Sequence, residues 1–133
     1  MAGLDREQVQ AWLDRYVEAW RANERALIEA LFTDDVVYRY RPYGDGHSTV
    51  GLEALVNDWL ENPDPPGSWD AWYEPFAVDG DRAVATGYSR YLATADDPER
   101  VYRNVFLMRF APDGRCAEFS DVYMLEEGTG TVS

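Results

Sequence analysis

The chain has 133 residues, of which 46% are hydrophobic and 14% aromatic. That is the length and make-up of one globular domain able to bury a core without disulfide or metal support. Acidic residues outnumber basic ones 25 to 12, for a net charge of −13. Such a balance excludes a general electrostatic role on nucleic acid or anionic membrane. One cysteine and one histidine exclude a disulfide framework and the usual zinc sets. No apolar run approaches membrane-spanning length, and the polar opening MAGLDREQVQ argues against a secretory signal. A single cytoplasmic domain over residues 1–133 is expected, with its core at about 5–126 and a frayed tail at 127–133. Every basic side chain is arginine, which fits a GC-rich bacterial genome or an acidic surface adapted to high salt.

Val9, Trp12, Leu13, Tyr16, Val17 and Trp20 recur at helical spacing and predict a first amphipathic helix. Asp5 stands at its N-cap position with Gln8 three residues on, as in a capping box. Asn23 is placed to cap a second, shorter helix carrying Leu27, Ile28, Leu31 and Phe32, which Thr33-Asp34-Asp35 ends. The period then changes to two. Residues 36–41 read as a strand with Val36, Tyr38 and Tyr40 on one face, and the Pro/Gly segment 42–46 breaks it. A third helix is expected over about 51–62, with Leu52, Leu55, Val56, Trp59 and Leu60 on its apolar face. Residues 69–78, 82–92, 100–110 and 115–126 are long, aromatic and β-branched, and the turns Asp79-Gly80 and Pro112-Asp113-Gly114 are hairpin signals. Helices followed by a run of strands give an α+β domain of order α-α-β-α-β-β-β-β, three helices packed on a curved mixed or antiparallel sheet.

That order, with the phrases Tyr16-Val17-Glu18-Ala19-Trp20, Leu31-Phe32-Thr33-Asp34-Asp35-Val36 and Gly51-Leu52-Glu53-Ala54-Leu55, resembles the SnoaL-like and nuclear transport factor 2-like (NTF2-like) superfamily. Two later hairpin phrases, 77–84 and 110–115, agree. The superfamily includes ketosteroid isomerases, SnoaL-type polyketide cyclases and limonene-epoxide hydrolases. The resemblance covers roughly residues 5–125 and implies a cone whose sheet curls around the first helix and leaves a pocket at one end. It identifies the fold more than the reaction, because one fold hosts many functions.

Alternation suggests which side chains enter such a pocket. On the strand at 100–110 the inward set is Tyr102, Asn104, Phe106 and Met108, leaving Arg103, Val105, Leu107 and Arg109 outside. On the last strand it is Phe119, Asp121 and Tyr123; on the strand at 82–92, Thr86, Tyr88 and Arg90; on the first strand, Tyr38 and Tyr40. His47, in the glycine-rich loop, is placed to join them at the mouth, and Trp59, on the apolar stripe of the third helix, is a further ligand-binding candidate. An aromatic pocket with a few polar groups is the usual form of a small-molecule site.

Asp121 is the most informative residue, because it shares a face with two aromatics. A carboxylate enclosed there has its pKa raised by desolvation, suiting acid–base work, or it pairs with a cation, of which Arg90 is the nearest candidate. The resemblance implies an acid–base aspartate at this point of the last strand and a hydrogen-bonding tyrosine at Tyr16. The ketosteroid isomerase base would fall on Arg41 and its protonated aspartic acid on Phe106, so that mechanism lacks its parts. Of the epoxide hydrolase set, Tyr38 and Asp121 match, while the arginine, second aspartate and asparagine fall on Tyr88, Arg90 and Tyr40. The expectation is therefore a domain that binds a small, largely apolar or cyclic molecule and whose chemistry, if it is catalytic, is cofactor-free, metal-free proton transfer of the cyclase, isomerase, dehydratase or hydrolase kind. Asp121 would be acid–base, Tyr38 and Tyr16 donors, and Arg90 and Asn104 orienting groups. The alternative is a non-catalytic ligand- or protein-binding module. A homodimer through the outer sheet face, where Val105 and Leu107 lie between Arg103 and Arg109, is expected in either case. Cys116 carries no sign of activation.

Overall fold

A computed structural model describes residues 4–40, 48–65 and 67–126. Helix α1 (Arg6–Ala22) starts at the expected capping box: the Gln8 amide donates to Asp5 Oδ1 at 2.8 Å, and the Asp5 amide donates to Gln8 Oε1 at 2.9 Å. Its apolar stripe is buried as the spacing requires. Asn23 does not open the second helix. It ends the first, in the left-handed conformation at φ 52°, with its amide donating to the Ala19 carbonyl. Helix α2 (Arg25–Glu29) is then little more than one turn and has no side-chain cap.

Strand β1 (Phe32–Arg39) begins four residues before the expected start. Phe32 is fully buried and pairs with Cys116, and an irregularity between Phe32 and Val37 takes up the offset. A short strand β2 (Ser48–Val50), too brief to show a period, pairs with it. Helix α3 (Leu52–Glu61) lies between Gly51 and Asn62, close to the expected span. Four long strands follow: β3 (Trp69–Asp79), β4 (Arg82–Tyr91), β5 (Arg100–Phe110) and β6 (Cys116–Leu125). The sheet order is β2-β1-β6-β5-β4-β3, antiparallel except for the parallel pair β1/β6.

Side-chain contacts show how far this sheet bends. Tyr16 on α1 touches Tyr38 of β1, Phe119 of β6, Phe106 of β5 and Tyr73 of β3. In a flat sheet β1 and β3, four strand spacings apart, would be separated by about 19 Å. One tyrosine reaches both, so the sheet is wrapped round the helix. Trp12 fills the centre, ringed by Phe32, Phe110 and Phe119, and satisfies its indole N–H on the Leu31 carbonyl at 3.0 Å. Each large side chain buried there contributes about 1.5–3 kcal/mol.

The alternation expected on β5 is observed: Asn104, Phe106 and Met108 are buried while Val105 and Leu107 face out. On β4 the expectation is reversed. Ala83, Ala85 and Ser89 are buried, and Gly87 stands opposite Asn104 and Tyr73. Thr86, Tyr88 and Arg90 belong to the outer face. The cause is space: the Tyr73 ring covers Gly87, where an added Cβ would collide with that ring and with the Trp72 carbonyl. A bent sheet whose neighbouring strands supply large rings leaves room for only small residues between them. Among the described residues, no helix is long and apolar enough to cross a membrane.

Candidate functional site

The bend leaves a cavity of about 540 Å³ at one end of the cone. Its floor is made by buried polar side chains: Tyr16 from α1, Tyr38 from β1, Tyr73 from β3, Ser89 from β4 and Asn104 from β5. Asp121 of β6 stands among them. Tyr40 and Tyr123, about half exposed, form part of the rim.

Two hydrogen-bonded groups organise the floor. In the first, Asn104 Nδ2 donates to Asp121 Oδ1 at 3.0 Å, and Asn104 Oδ1 accepts from Ser89 Oγ at 3.0 Å. The Ser89 proton is thereby committed, so in its contact with the Tyr73 hydroxyl Ser89 accepts and Tyr73 donates. The chain runs one way, from phenol to serine to amide to carboxylate. Asp121 Oδ1 is its end point, which leaves Oδ2 to the cavity. In the second group the Tyr16 and Tyr38 hydroxyls meet at 2.7 Å. Two hydroxyls sharing one hydrogen bond keep one proton over, and it can turn into the cavity whichever tyrosine donates.

The electrostatics follow from enclosure. Burial pushes the Asp121 carboxyl from 3.8 up to about 6, only partly offset by the Asn104 hydrogen bond. Burial also holds Tyr16 and Tyr38 well above the ordinary phenol value, and the nearby Asp121 charge raises both further. Tyr73, Tyr40 and Tyr91 are raised for the same leading reason. The site therefore combines one carboxyl that changes state near neutrality with phenols that stay protonated. A proton can leave or reach a bound molecule at Asp121 Oδ2, and a negative oxygen can be met by the tyrosine pair.

Of the residues expected from the sequence, Asp121, Tyr16, Tyr38, Tyr40, Trp59, Tyr102, Asn104 and Tyr123 line this cavity. Phe106, Met108 and Phe119 do not; they are buried behind the floor, with Phe119 stacked 4.7 Å from Tyr38 and 5.3 Å from Tyr16. Tyr88 and Arg90 lie on the opposite face of the sheet. Arg90 forms an ion pair there with Asp70 at 2.7 Å and a longer one with Glu99 at 3.5 Å, so it is neither an orienting group nor the partner of Asp121. His47 lies outside the described residues. Cys116 is buried, its thiol pushed up by desolvation and donating to the Glu118 carbonyl.

The sequence reading missed Tyr73, Ser89, Tyr91 and Arg100, together with a rim that includes Trp20 of α1, Asp58 of α3 and Asp64 just beyond α3. Trp20 stacks on Trp69 at 3.7 Å and donates its indole N–H to Asp64 at 2.8 Å. Asp58 accepts from Thr49 at 3.0 Å. Arg100 was within reach of the sequence: it continues the even-numbered inward set of β5 by one place.

Comparison with known proteins agrees with this architecture. The family profile described as SnoaL-like domain matches residues 13–119. No curated protein sequence matches the chain. Among solved structures, an LEH-like epoxide hydrolase from M. tuberculosis superposes with a TM-score of 0.64 at 12% identity, over 89% of this chain and 84% of the other. An NTF2-like protein of unknown function from Mesorhizobium loti gives 0.62 at 28% identity, over 90% and 93%. A candidate ketosteroid isomerase from Kribbella flavida gives 0.63 at 20% identity, over 90% and 80%.

Proposed function

We propose that this chain, which belongs to the SnoaL-like domain family, binds a small, largely apolar or cyclic molecule in its cone and moves a proton on it without a cofactor. The observation that carries this reading is Asp121: a largely buried carboxyl with a single hydrogen bond among the described residues, from Asn104, a pKa of about 6 and one oxygen open to a 540 Å³ cavity. Its proton, when present, belongs on Oδ2, because Oδ1 already accepts from Asn104. The Tyr16/Tyr38 pair then holds the oxygen on which charge develops when Asp121 takes a proton from the adjacent carbon. Asn104, with Ser89 and Tyr73 behind it, fixes the carboxylate plane. Solved structures of similar fold include a protein described as an epoxide hydrolase and others described as an isomerase or a cyclase, all reactions in which a cavity carboxylate can serve as acid or base.

The test uses 1-indanone, a small cyclic ketone with exchangeable protons beside its carbonyl. Wild-type protein in D₂O should accelerate loss of those protons, read by NMR, and Asp121→Asn should abolish at least 100-fold of that acceleration, in line with a general base contributing about 10²–10⁴. Equal exchange in the two proteins removes Asp121 from the mechanism.

A second reading, a non-catalytic dimer module, draws on the other face of the sheet. Trp72, Phe76, Val105 and Leu107 are exposed there, Phe76 at 71%. A second copy of the chain is the proposed occupant of that face. Sedimentation at micromolar concentration should give twice the monomer mass, reduced to one by Leu107→Asp; a wild-type monomer removes the dimer.

A further inference from the structure

Eleven of the chain's twelve arginines are at surface or outer-face positions, or outside the described residues, and many are matched to carboxylates. Arg21, Arg25, Arg90, Arg103, Arg109 and Arg115 each have such a partner. Arg100 differs. It is the one cation among the described residues lining the cavity, and it forms no ion pair with any described residue in a chain that has 25 acidic side chains. Its Nε is buried and has no hydrogen-bond partner. Leaving a buried donor of a charged group unmatched costs free energy, and in a ligand cavity the ordinary remedy is the ligand or a water standing in for it.

The surroundings hold this guanidinium ready. Arg100 opens β5 opposite Tyr91, the last residue of β4, and its guanidinium carbon stands 5.1 Å from the centre of the Tyr91 ring. A guanidinium resting over a ring keeps its N–H groups at its edge, where a planar two-oxygen acceptor fits them in pairs. The rim carboxylates Asp58 and Asp64 are differently placed, since each already accepts a hydrogen bond from the protein. At the Arg100 end of the cavity the unmet capacity is thus for an acceptor, while the open oxygen of Asp121 stands beside Asn104, further along the cone.

We infer that Arg100 is a ligand-binding residue, and that the molecule bound in the cone is an aromatic or cyclic monoanion whose carboxylate docks on its guanidinium. This rests on the ligand-binding half of the function proposed above and adds the class of ligand. Arg100 lies four residues from Asn104 along β5, about 14 Å. A carboxylate at that end therefore points the far end of a two-ring molecule toward Asn104 and Asp121.

Three probes of one shape and three charges test it: biphenyl-4-carboxylate, biphenyl-4-carboxamide and biphenyl-4-carboxamidine, titrated calorimetrically at pH 8. The carboxylate should bind wild-type protein at least tenfold more tightly than the amide, the difference expected for a charge-assisted hydrogen bond. Arg100→Gln should erase that preference while leaving the amide's affinity within twofold. Arg100→Lys, which keeps the charge but loses the fork, should retain only part of it, and it serves as the decisive variant if Arg100→Gln does not fold. A carboxylate preference that survives both substitutions, equal binding of carboxylate and amide, or tightest binding of the amidine would each overturn the inference while leaving a ligand-binding cone. Failure of all three probes to bind wild-type protein would overturn the inference and the ligand-binding reading together.

Discussion

Replacing Asp121 by Asn should stabilise the protein, and the gain should appear only as pH rises. The carboxyl titrates at about 6 in the folded chain against 3.8 for an ordinary aspartate. Between those values the folded state holds the proton more tightly than the unfolded state, so stability falls with increasing pH. Below 3.8 both states are protonated and nothing is lost. Above about 6 the loss is complete, at about 3 kcal/mol for a shift of this size. Asparagine keeps the shape, still offers an oxygen to the Asn104 amide and cannot ionise. The difference in unfolding free energy between Asp121→Asn and wild type should thus be near its minimum at pH 4 and grow by about 2–3 kcal/mol by pH 7.5. In a domain of this size that is about 10 °C in Tm. Urea unfolding of both proteins across that range measures it, and the titrations of all other acidic groups cancel in the difference. A flat difference, or a wild type that is the more stable at pH 7.5, would refute the reasoning, because it would mean that the ionised carboxylate is well solvated or paired.

Gly87→Ala should cost about 1–3 kcal/mol, since its Cβ has nowhere to go between the Tyr73 ring and the Trp72 carbonyl; a neutral result in thermal unfolding would show that β3 can move aside. Asn104→Leu removes the hydrogen bond that lowers the Asp121 pKa, so the pH at which the Asp121→Asn difference levels off should move above 6 in that background; an unchanged plateau would contradict the role given to Asn104. Asp5→Ala removes the carboxylate that accepts from the Gln8 amide, while the residue-5 amide can still donate to Gln8, and it should cost about 1 kcal/mol in urea unfolding; a cost near zero would mean that the lost acceptor contributes nothing to the first turn.

Much of the fold was legible because its signals are local. The stripe from Val9 to Trp20, the capping box and the Asp79-Gly80 and Asp113-Gly114 turns depend on near neighbours in the chain, and each is found where the pattern puts it. The hydrophobic sets of β5 and β6 also gave the right face, which is why Asp121 and Asn104 were found. The failures involve distance. Nothing within β4 says that Tyr73 will lie over Gly87, and without that knowledge the larger residues Tyr88 and Arg90 look more fit for an interior than Ala85 and Ser89. Inverting one strand carried Arg90 into the expected site and left Tyr91 and Ser89 out of it. Asn23 was assigned to the wrong helix because an asparagine serves equally as an N-cap or as a left-handed C-cap. The rim from α1 and α3 depends on how those helices lie over the sheet, which no period records.

The central claim is that one carboxyl group is largely buried in the floor of the cavity, and its own titration tests this most directly. Carbon-detected NMR of ¹³C-labelled aspartate side chains, with Asp121→Asn to identify the resonance, should show Asp121 titrating at about 6. A midpoint near 3.8, where an aspartate in water titrates, would contradict the account.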